Sequence, residues 1–555
     1  MNTKNIKHFL LAGTVCCGMT AALTACSDWD DHYEGKGDSA STGATTTLWE
    51  QLKANEQLSD FCEVLENTKV YRMHKKTPVS YADMLQGGQT FTVLAPVNGQ
   101  FDKAALLEQV QTVSGDSIVE KSFVQNHLSR TLASLKEDSV RMLMLNGKRL
   151  NLAGTSVEGV VISSPNNHAR NGVLHVVDNA VNYHRNLYET LCDNPEFSVI
   201  GDNIRRFNKE IFDDDASIVS GYVEGVPIYI DSVVYETNPL LNNIGLLREE
   251  DSTYLVVAPT TEGWTKAYNE AASHFVFEQK NTKRDSLQQI YTMRALLEDA
   301  VFNMTDQLSL QDSAVSVPYL RTTHKYLKGK HVYNVFQKPF DEGGIFHGAE
   351  VVPCSNGTLY KTKEWPFTPE QTYFKEIYVE GETTWLITEY DKDKCVYKDI
   401  QVKGDSISEG KFLRITSTGA KDWNVTFKVS NTLSGKYDFY AVVLPKSVYP
   451  PTDPTELELP CKFKATINYL GLDGKENKYN CKSVEGAAYF ESDAFKTDTI
   501  LLAKDFELPV CNYQQDDVIN VSVKISRFVK EREFDYYARE LYLDCIYLIP
   551  SKSEE

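Results

Sequence analysis

Two histidines, His127 and His175, are the residues best suited to acid–base chemistry, because imidazole titrates near neutral pH. They could act as an acid–base or partner-contacting pair. The alternative is a buried, hydrogen-bonded His127 that ties two strands together, and we expect this structural role. No histidine follows His347, so the last third of the chain cannot contain a Ser-His-Asp triad or a His-metal site of its own.

Acidic residues could bind calcium or cleave glycosidic bonds. Carboxylates that could bind calcium lie close together at 213–215 (DDD) and 391–393 (DKD), but neither cluster fits an EF-hand spacing. Glycoside hydrolysis needs two carboxylates about 5–9 Å apart, which 77 acidic residues permit and no motif supports. The sequence contains no G-x-S-x-G, H-E-x-x-H, P-loop or dinucleotide fingerprint. We therefore predict no enzyme activity, no metal and no cofactor, and keep a hydrolase only as a formal alternative.

Aromatic residues in the last third of the chain suggest binding, because flat rings offer an apolar face on which a sugar ring can stack. The candidates for glycan binding are Trp385, Trp423, Tyr536 and Tyr537. Trp423 begins a predicted strand and could pack in the core instead. Tyr536 and Tyr537 lie in the polar stretch 530–540, where we expect at least one ring to be exposed.

Charge and cysteine content exclude two further classes of protein. The net charge of −20, without a basic run, argues against a nucleic-acid partner, which needs clustered Lys and Arg. Eight cysteines follow residue 26 and none forms a C-x-x-C pair, so zinc-ribbon and thioredoxin chemistry are not expected. Disulfides are possible, but the register between Cys461 and Cys481 depends on which turn joins them. We predict buried thiols.

A pattern of residues occurs twice in the chain. Residues 48–55 (LWEQLKAN) return as 187–194 (LYETLCDN), and 91–96 (FTVLAP) return as 254–259 (YLVVAP). The second copy carries extra residues between these landmarks. Such a long repeat indicates a duplicated domain and not a solenoid, whose units run about 20–50 residues.

The repeated strand ending in Ala-Pro resembles the first signature box of the fasciclin family. The second box resembles residues 171–178 (NGVLHVVD), with a weaker copy at 356–361 (NGTLYK), and the central pair resembles Asn126-His127. The residues at family-motif positions are Pro96, Asn126, His127, Asn171, Gly172, His175 and Pro259. The second copy has no clear counterpart of Asn126-His127 and looks like a degenerate member. The resemblance implies adhesion or partner contact.

The predicted fold class is multidomain, with two α+β fasciclin-like domains followed by an all-β antiparallel jelly-roll sandwich. The first domain is placed at 46–184, with a helix over 122–135, and the second at 185–368, with a long helical segment over 264–304. From 369 to 555, apolar residues alternate with period two, which is typical of antiparallel strands. The final run sets Leu541, Leu543, Cys545, Tyr547 and Ile549 on one face. The strand pattern resembles a galactose-binding-type sandwich.

The first 25 residues resemble a bacterial lipoprotein signal peptide. Lys4 and Lys7 precede a short apolar stretch, which ends in Leu23-Thr24-Ala25-Cys26. The resemblance implies cleavage before Cys26 and acylation of its thiol, so that lipid anchors the chain. A flexible tether follows at 26–45, and its acidic start resembles an export signal to the outer face of the outer membrane.

Two hypotheses for the function follow from the sequence. In the first, the chain is a non-catalytic surface lipoprotein of the outer membrane that binds a protein partner or, preferably, a glycan. In the second, it is an accessory lipoprotein of a TonB-dependent glycan or nutrient importer. Neither hypothesis involves a nucleic acid.

Overall fold

The computed structural model divides into two compact units. It describes residues 44–72, 75–135, 139–223, 226–304, 312–321, 330–402, 407–449, 457–513 and 519–551. The first unit comprises Met1–His184 and Phe212–Val234, and the second comprises Arg185–Ile211 and Tyr235–Glu555. The predicted signal peptide and Cys26 lie outside the described residues. None of the described helices is long and apolar enough to cross a membrane.

The first unit is an α+β domain in which short helices pack on a seven-stranded sheet. Its helices are α1 (Leu48–Ala54), α2 (Ser59–Asn67), α3 (Tyr81–Gln86), α4 (Lys103–Gln109) and α5 (Val113–Val119). Its strands are β1 (Lys69–Arg72), β2 (Lys75–Ser80), β3 (Phe91–Pro96), β4 (Leu128–Ser129), β5 (Val140–Leu143), β6 (Arg149–Ala153), β7 (Ser156–Val157), β8 (Val160–Ala169) and β9 (Gly172–Val177). The sheet order is β4-β3-β9-β8-β7-β6-β5, with β3 and β9 parallel, and β1 and β2 form a separate hairpin.

The predicted helix over 122–135 is correct only as far as His127. Helix α5 continues only through a π-helical turn, Glu120–Val124, and a short turn that ends at His127. The chain then becomes extended because Leu128 pairs with Val93 at the edge of the sheet.

One asparagine and one glycine hold the parallel strands β3 and β9 to the helices. The Asn171 carboxamide accepts a hydrogen bond from the backbone of Leu48, which begins α1, at 2.7 Å. It also donates to the carbonyl of Leu85 in α3 at 2.8 Å. Gly172 has φ +150°, and a Cβ there would lie 1.9 Å from the Phe91 carbonyl oxygen. Only glycine permits this close approach of the two strands.

The second unit begins with an α+β part whose main sheet has four strands. Its helices are α6 (Leu187–Asp193), α7 (Ser198–Arg205), α8 (Leu241–Ile244), α9 (Thr261–His274) and α10 (Arg284–Leu297). Its strands are β12 (Tyr254–Pro259), β13 (Val301–Asn303), β14 (Ser313–Val315), β15 (Tyr319–Arg321), β16 (Lys330–Val332), β17 (Val335–Gln337), β18 (Glu350–Cys354) and β19 (Gly357–Thr362). The main sheet has the order β13-β12-β19-β18, with β12 and β19 parallel. The extra residues predicted for this copy form a hairpin of β10 (Lys209–Val223) and β11 (Val226–Thr237).

The local architecture around the parallel strands occurs in both units. Asn356 accepts from the backbone of Leu187 at 2.8 Å, as Asn171 does from Leu48. Gly357 has φ +151°, and a Cβ there would lie 2.0 Å from the Tyr254 carbonyl oxygen. The same hydrogen bond and the same glycine conformation therefore accompany both parallel strand pairs.

The long helical segment predicted over 264–304 is interrupted. Helix α9 ends at His274, α10 begins at Arg284, and the chain enters β13 at Val301. The connection runs against the C-terminal strands, where the Val276 backbone N–H donates to Ser434 Oγ at 3.2 Å and the Phe275 ring meets Tyr513 at 5.6 Å. The α+β part and the C-terminal part of this unit consequently share one hydrophobic core.

The C-terminal part is a β-sandwich of two antiparallel sheets. Its strands are β20 (Ile377–Glu380), β21 (Ile387–Tyr390), β22 (Cys395–Gln401), β23 (Lys411–Ser417), β24 (Asn424–Val429), β25 (Gly435–Val443), β26 (Lys462–Leu470), β27 (Glu476–Asn480), β28 (Phe490–Glu491), β29 (Asp498–Leu508), β30 (Val521–Arg527) and β31 (Leu541–Pro550). Sheet A has the order β22-β23-β31-β25-β29, with β20 also paired to β31. Sheet B has the order β21-β24-β30-β26-β27, with β28 also paired to β26.

The alternation predicted for the last strand is correct for its first half only. Val442 pairs with Cys545 whereas Val443 pairs with Leu543, so Asp544 is an additional residue that forms a β-bulge. Beyond the bulge, Ile546 and Leu548 point into the core and Tyr547 lies on the outer face.

The eight described cysteines are free thiols, seven of them buried and Cys354 half-buried, whereas buried thiols were predicted for all eight.

We predict that Gly172→Ala and Gly357→Ala each destabilise their own unit by about 2–5 kcal/mol, because a Cβ adds both backbone strain and a clash with the facing carbonyl. Gly88→Ala is the matched control, since a Cβ there meets nothing within 4 Å. Chemical denaturation monitored by tryptophan fluorescence measures the difference. Unfolding midpoints equal to that of Gly88→Ala would contradict the proposed role of the two glycines.

Candidate functional site

The two candidate histidines of the first unit, His127 and His175, are buried structural residues. His127 Nδ1 lies 2.7 Å from the Phe123 carbonyl oxygen, and its Nε2 lies 2.9 Å from the Val181 backbone nitrogen. A carbonyl can only accept and an N–H can only donate, so Nδ1 carries the proton and Nε2 accepts. Burial lowers the pKa of His127 to about 4. This ring joins two segments of the backbone and offers no free atom to a substrate.

The other motif residues of this unit have similar structural contacts. His175 Nε2 lies 2.8 Å from the Ala133 carbonyl oxygen, and burial also lowers its pKa. Asn126 donates to the carbonyl of Val181 at 3.0 Å. Pro96 and Pro259 are buried at the ends of β3 and β12. No acid–base pair is formed, because each histidine is engaged with its own backbone partners.

The strand register shows what replaces His127 in the second unit. Leu128 pairs with Val93 in the first unit, and Val301 pairs with Val256 at the equivalent position. Ala300 therefore occupies the place of His127. The substitution explains why the sequence offered no counterpart of the Asn-His pair.

The four aromatic glycan candidates of the sandwich have different environments. Trp423 is 1% exposed and its indole N–H donates to Ser417 Oγ at 2.9 Å, so the prediction that it contacts a glycan is wrong. Trp385 is 53% exposed in a short turn before β21. Tyr536 is 68% exposed, and Tyr537 is half-buried beside it. The expectation of an exposed ring in the 530–540 stretch is confirmed by Tyr536.

The 530–540 loop is held against the sandwich by Lys462, whose side chain is only 9% exposed. The Lys462 ammonium lies 3.1 Å from Glu533, 4.9 Å from the centre of the Tyr537 ring and 4.5 Å from that of Tyr489. Attraction between the cation and these rings adds to the ion pair. The Tyr537 hydroxyl donates to Glu491 at 2.7 Å, a bond that raises the Tyr537 pKa to about 12. Tyr537 is thus fixed at its ring by Lys462 and at its hydroxyl by Glu491.

A second buried cation, Arg527, fixes the start of the same loop. Its guanidinium donates to Asp422 at 3.2 Å, to Ser417 Oγ at 2.9 Å and to the Ala420 carbonyl at 2.6 Å. The same guanidinium lies 5.3 Å from the centre of the Phe534 ring. Phe534 is therefore held in position on a fully hydrogen-bonded support.

Phe534 and Tyr537 belong to one wall of a groove of about 710 Å³ on the sandwich. Its lining comprises Thr416, Ser417, Lys446, Leu457, Leu459, Phe534, Asp535, Tyr537, Ala538, Arg539, Glu540 and Tyr542. The volume is in the usual range of ligand sites, about 300–1,000 Å³. The groove combines aromatic rings with a few polar groups, which is the composition that binds sugars or other polar rings. Tyr536 does not line the groove, but its two neighbours in the sequence, Asp535 and Tyr537, do.

Two carboxylates line the groove, and one of them is already engaged. Glu540 accepts from Arg414 at 3.0 and 3.2 Å and from the Tyr542 hydroxyl at 2.7 Å. Asp535 is exposed on the wall. Sequence reasoning missed Phe534, Arg539 and Glu540, although all three lie in the polar stretch that drew attention to Tyr536 and Tyr537.

A separate row of tyrosines crosses the outer face of sheet A. Tyr547 stacks on Tyr378 at 5.5 Å and on Tyr440 at 4.9 Å, with interplanar angles of 20° and 12°. The β-bulge at Asp544 turns Tyr547 outward, so the alternation in the sequence gave no sign of this row. Stacked rings cover one another's faces. We therefore favour the groove over this row as a binding site for sugar rings.

Three carboxylates near the β-bulge carry buried oxygens without a hydrogen-bond partner, in Glu380, Glu382 and Asp544. Burial raises the pKa of Glu382 to about 7 and that of Asp544 to about 6. Among the described residues, no group of three or more His, Cys, Asp or Glu side chains is arranged to hold a metal ion. Asp391, in one of the two acidic clusters considered as calcium ligands, is bonded to Lys394 and Asn424.

Comparisons with known proteins identify one part of the chain. Residues 66–182 match the family profile described as Fasciclin domain, so the first unit contains a fasciclin domain. No curated protein matches the chain.

Solved structures show only distant similarity. A FAS1 domain pair from the insect cell adhesion molecule Fasciclin I aligns at 12% identity over 58% of this chain and 97% of that one, with a TM-score of 0.17. The C-terminal family 22 carbohydrate binding module of Clostridium thermocellum Xyn10B aligns at 10% identity over 33% and 96%, with a TM-score of 0.20. CBM22-1–GH10 modules of the same xylanase, complexed with xylohexaose, align at 13% identity over 32% of this chain and 29% of that one, with a TM-score of 0.21. The chain thus spans less than a third of that xylanase structure. Similarities this distant identify no ligand or activity.

We predict that the contribution of His127 to stability disappears as the pH falls. The unfolded imidazole titrates near 6.5 and the folded one near 4, so the unfolded state binds more protons between these values. The contribution is present above pH 6.5 and about 2 kcal/mol of it is lost between pH 7 and pH 5. Denaturant unfolding of the wild type and of His127→Gln at both pH values measures this loss. An equal pH dependence in the two proteins would contradict the assignment.

Proposed function

We propose that the protein binds glycans, without catalysis, in the groove of the C-terminal sandwich. The observation that carries this proposal is the fixed aromatic wall formed by Phe534 and Tyr537. Both rings are held by buried cations and hydrogen bonds before any ligand arrives, so little conformational entropy is lost on binding. Tyr536, exposed on the same loop, is available as a further stacking surface.

The polar lining supports binding better than hydrolysis. Glu540 is engaged by Arg414 and Tyr542, which leaves Asp535 as the other carboxylate among the lining residues. Glycosidase chemistry uses two carboxyl groups, one of them as an acid. A single unengaged carboxylate does not provide this pair. The Ser417 hydroxyl is engaged by Trp423, Arg527 and the Arg539 carbonyl, so Thr416 is the lining hydroxyl we expect to hydrogen-bond a sugar.

We also propose that the α+β part of the second unit is a degenerate fasciclin domain, so that the chain carries two copies. The support is the repeated parallel strand pair with its asparagine and its glycine at φ near +150°. In this account the domains run over 46–184 and 185–368, with the sandwich at 369–555. The fasciclin domains would contribute adhesion or contact with a protein partner.

The remaining proposal concerns the cellular location, which rests on sequence alone. Residues 23–26 (LTAC) and the acidic tether support a lipoprotein anchored through Cys26 in the outer membrane and facing the exterior. An accessory role in a TonB-dependent importer is the second candidate. It would place the same glycan groove beside a transport channel.

The proposed glycan site predicts a specific loss of affinity in two variants. In native gels containing neutral and acidic polysaccharides, we expect the wild type to be retarded by at least one polysaccharide. Tyr537→Ala and Tyr536→Ala should each weaken that retardation about tenfold, because a stacking contact is lost. Tyr333→Ala, which removes an exposed tyrosine elsewhere in the same unit, is the control. The proposal fails if the wild type is not retarded or if both variants behave as the wild type does.

Lipid anchoring predicts that Cys26→Ala releases the protein from membranes. In cells that express the full chain, the wild type should sediment with the outer membrane and incorporate labelled palmitate. The variant should do neither, since the thiol is the acylated atom. Wild-type protein in the soluble fraction without label would contradict the anchor.

A further inference from the structure

We infer that the groove selects acidic glycans and that Arg539 binds their carboxylate or sulfate groups. This inference rests on the proposed glycan function and adds the class of ligand. Arg539 lines the groove and its side chain is exposed. A guanidinium presents a planar fork of N–H donors that matches the two oxygens of a carboxylate or sulfate.

The Arg539 guanidinium is held in place without an ion pair to a carboxylate among the described residues. One N–H donates to the Gly419 carbonyl at 2.9 Å, and the guanidinium lies 5.1 Å from the centre of the Phe534 ring. No carboxylate pairs with it in the described part of the chain. Its remaining N–H groups are therefore available to an anion, and the position of the side chain is already set.

Phe534 gains its own rigidity from the other guanidinium. Arg527 lies 5.3 Å from the ring and is itself fully engaged by Asp422, Ser417 and backbone carbonyls. With its side chain fully buried, Arg527 cannot reach a ligand. The structure thus assigns different tasks to the two arginines: Arg527 supports the aromatic wall, and Arg539 presents a charge to the groove.

The groove carries cationic groups although the chain as a whole is acidic. Lys446 and Arg539 are the cations of the lining, and Asp535 and Glu540 are the carboxylates. The charge of Glu540 is offset by Arg414 at 3.0 Å. The net charge of the chain is −20. An exposed guanidinium at a concave aromatic site is thus a local feature that the general charge does not explain.

The global charge also makes the inference testable. A chain of net charge −20 repels polyanions, so their binding cannot come from non-specific attraction and must depend on a local site. The same repulsion and the absence of a basic run disfavour nucleic acid as the source of the anion. Within acidic glycans, uronic acids supply carboxylates and sulfated sugars supply sulfates. Both chemistries fit the Arg539 fork.

The experiment compares three soluble polymers: dextran as the neutral probe, polygalacturonate as the carboxylate probe and dextran sulfate as the sulfate probe. A neutral galactan extends the neutral arm. Binding of the full chain is measured by affinity gels at two salt concentrations. We expect tighter binding to at least one of the two acidic probes than to the neutral ones. Which acidic probe binds better distinguishes the carboxylate source from the sulfate source.

Variants at Arg539 and Asp535 distinguish the loss of a charge from the loss of folded structure. Arg539→Gln should weaken binding to the acidic probe about tenfold or more, since a charge-assisted contact is lost, and should weaken binding to a neutral probe several-fold less. Arg539→Lys keeps the charge without the fork and should show intermediate affinity. Asp535→Asn removes the negative charge of the wall and should tighten acidic binding a few-fold. Thermal unfolding of each variant verifies the fold.

The possible results distinguish the inference from the proposed function. Binding to neutral probes only, or equal binding of wild type and Arg539→Gln to the acidic probe, overturns the inference and leaves the glycan site standing. A parallel loss of neutral and acidic binding in Arg539→Gln also overturns it, because Arg539 would then act through structure. Binding of single-stranded DNA as tightly as of acidic glycan counts against it as well. No retardation of the wild type by any polysaccharide refutes the proposed function itself.

Discussion

Two cations with almost no access to solvent, Lys462 and Arg527, are the constraint on which the candidate site depends. Each sits under the 530–540 loop and meets both a carboxylate and aromatic rings. A cation buried in this way is stable only while its carboxylate and its other partners stay in place. The loop is therefore held in one conformation. Phe534, Tyr537 and Arg539 owe their positions in the groove to this arrangement.

The rest of the second unit gives this loop a rigid base. The α+β part and the sandwich share one core, which includes the contact of Phe275 with Tyr513. In the same unit, Gly357 allows a close approach of β12 and β19 that no other residue permits. In the first unit, Gly172 does the same for β3 and β9, and both nitrogens of His127 bind backbone atoms. The polar and glycine residues of the family motif thus stabilise the framework of each unit.

Much of the framework could be predicted from the sequence. The strands that end in Pro96 and Pro259 and the change to antiparallel strands after residue 368 follow from local patterns of apolar residues. The break between α9 and α10 could not be predicted, because it depends on packing against residues far along the chain, such as Tyr513. The outward Tyr547 could not be predicted either, since one additional residue at Asp544 reverses the alternation. Tyr536 was found from loop polarity alone, whereas the groove required knowledge of which loops meet.

The most direct measurement of the central claim is hydroxyl-radical footprinting of the full chain with and without a bound acidic oligosaccharide. The account predicts protection of Tyr536, Tyr537 and Phe534 and little change at Tyr378, Tyr440 and Tyr547. Protection of the outer face of sheet A, or of the fasciclin domain, with an unchanged groove would contradict it.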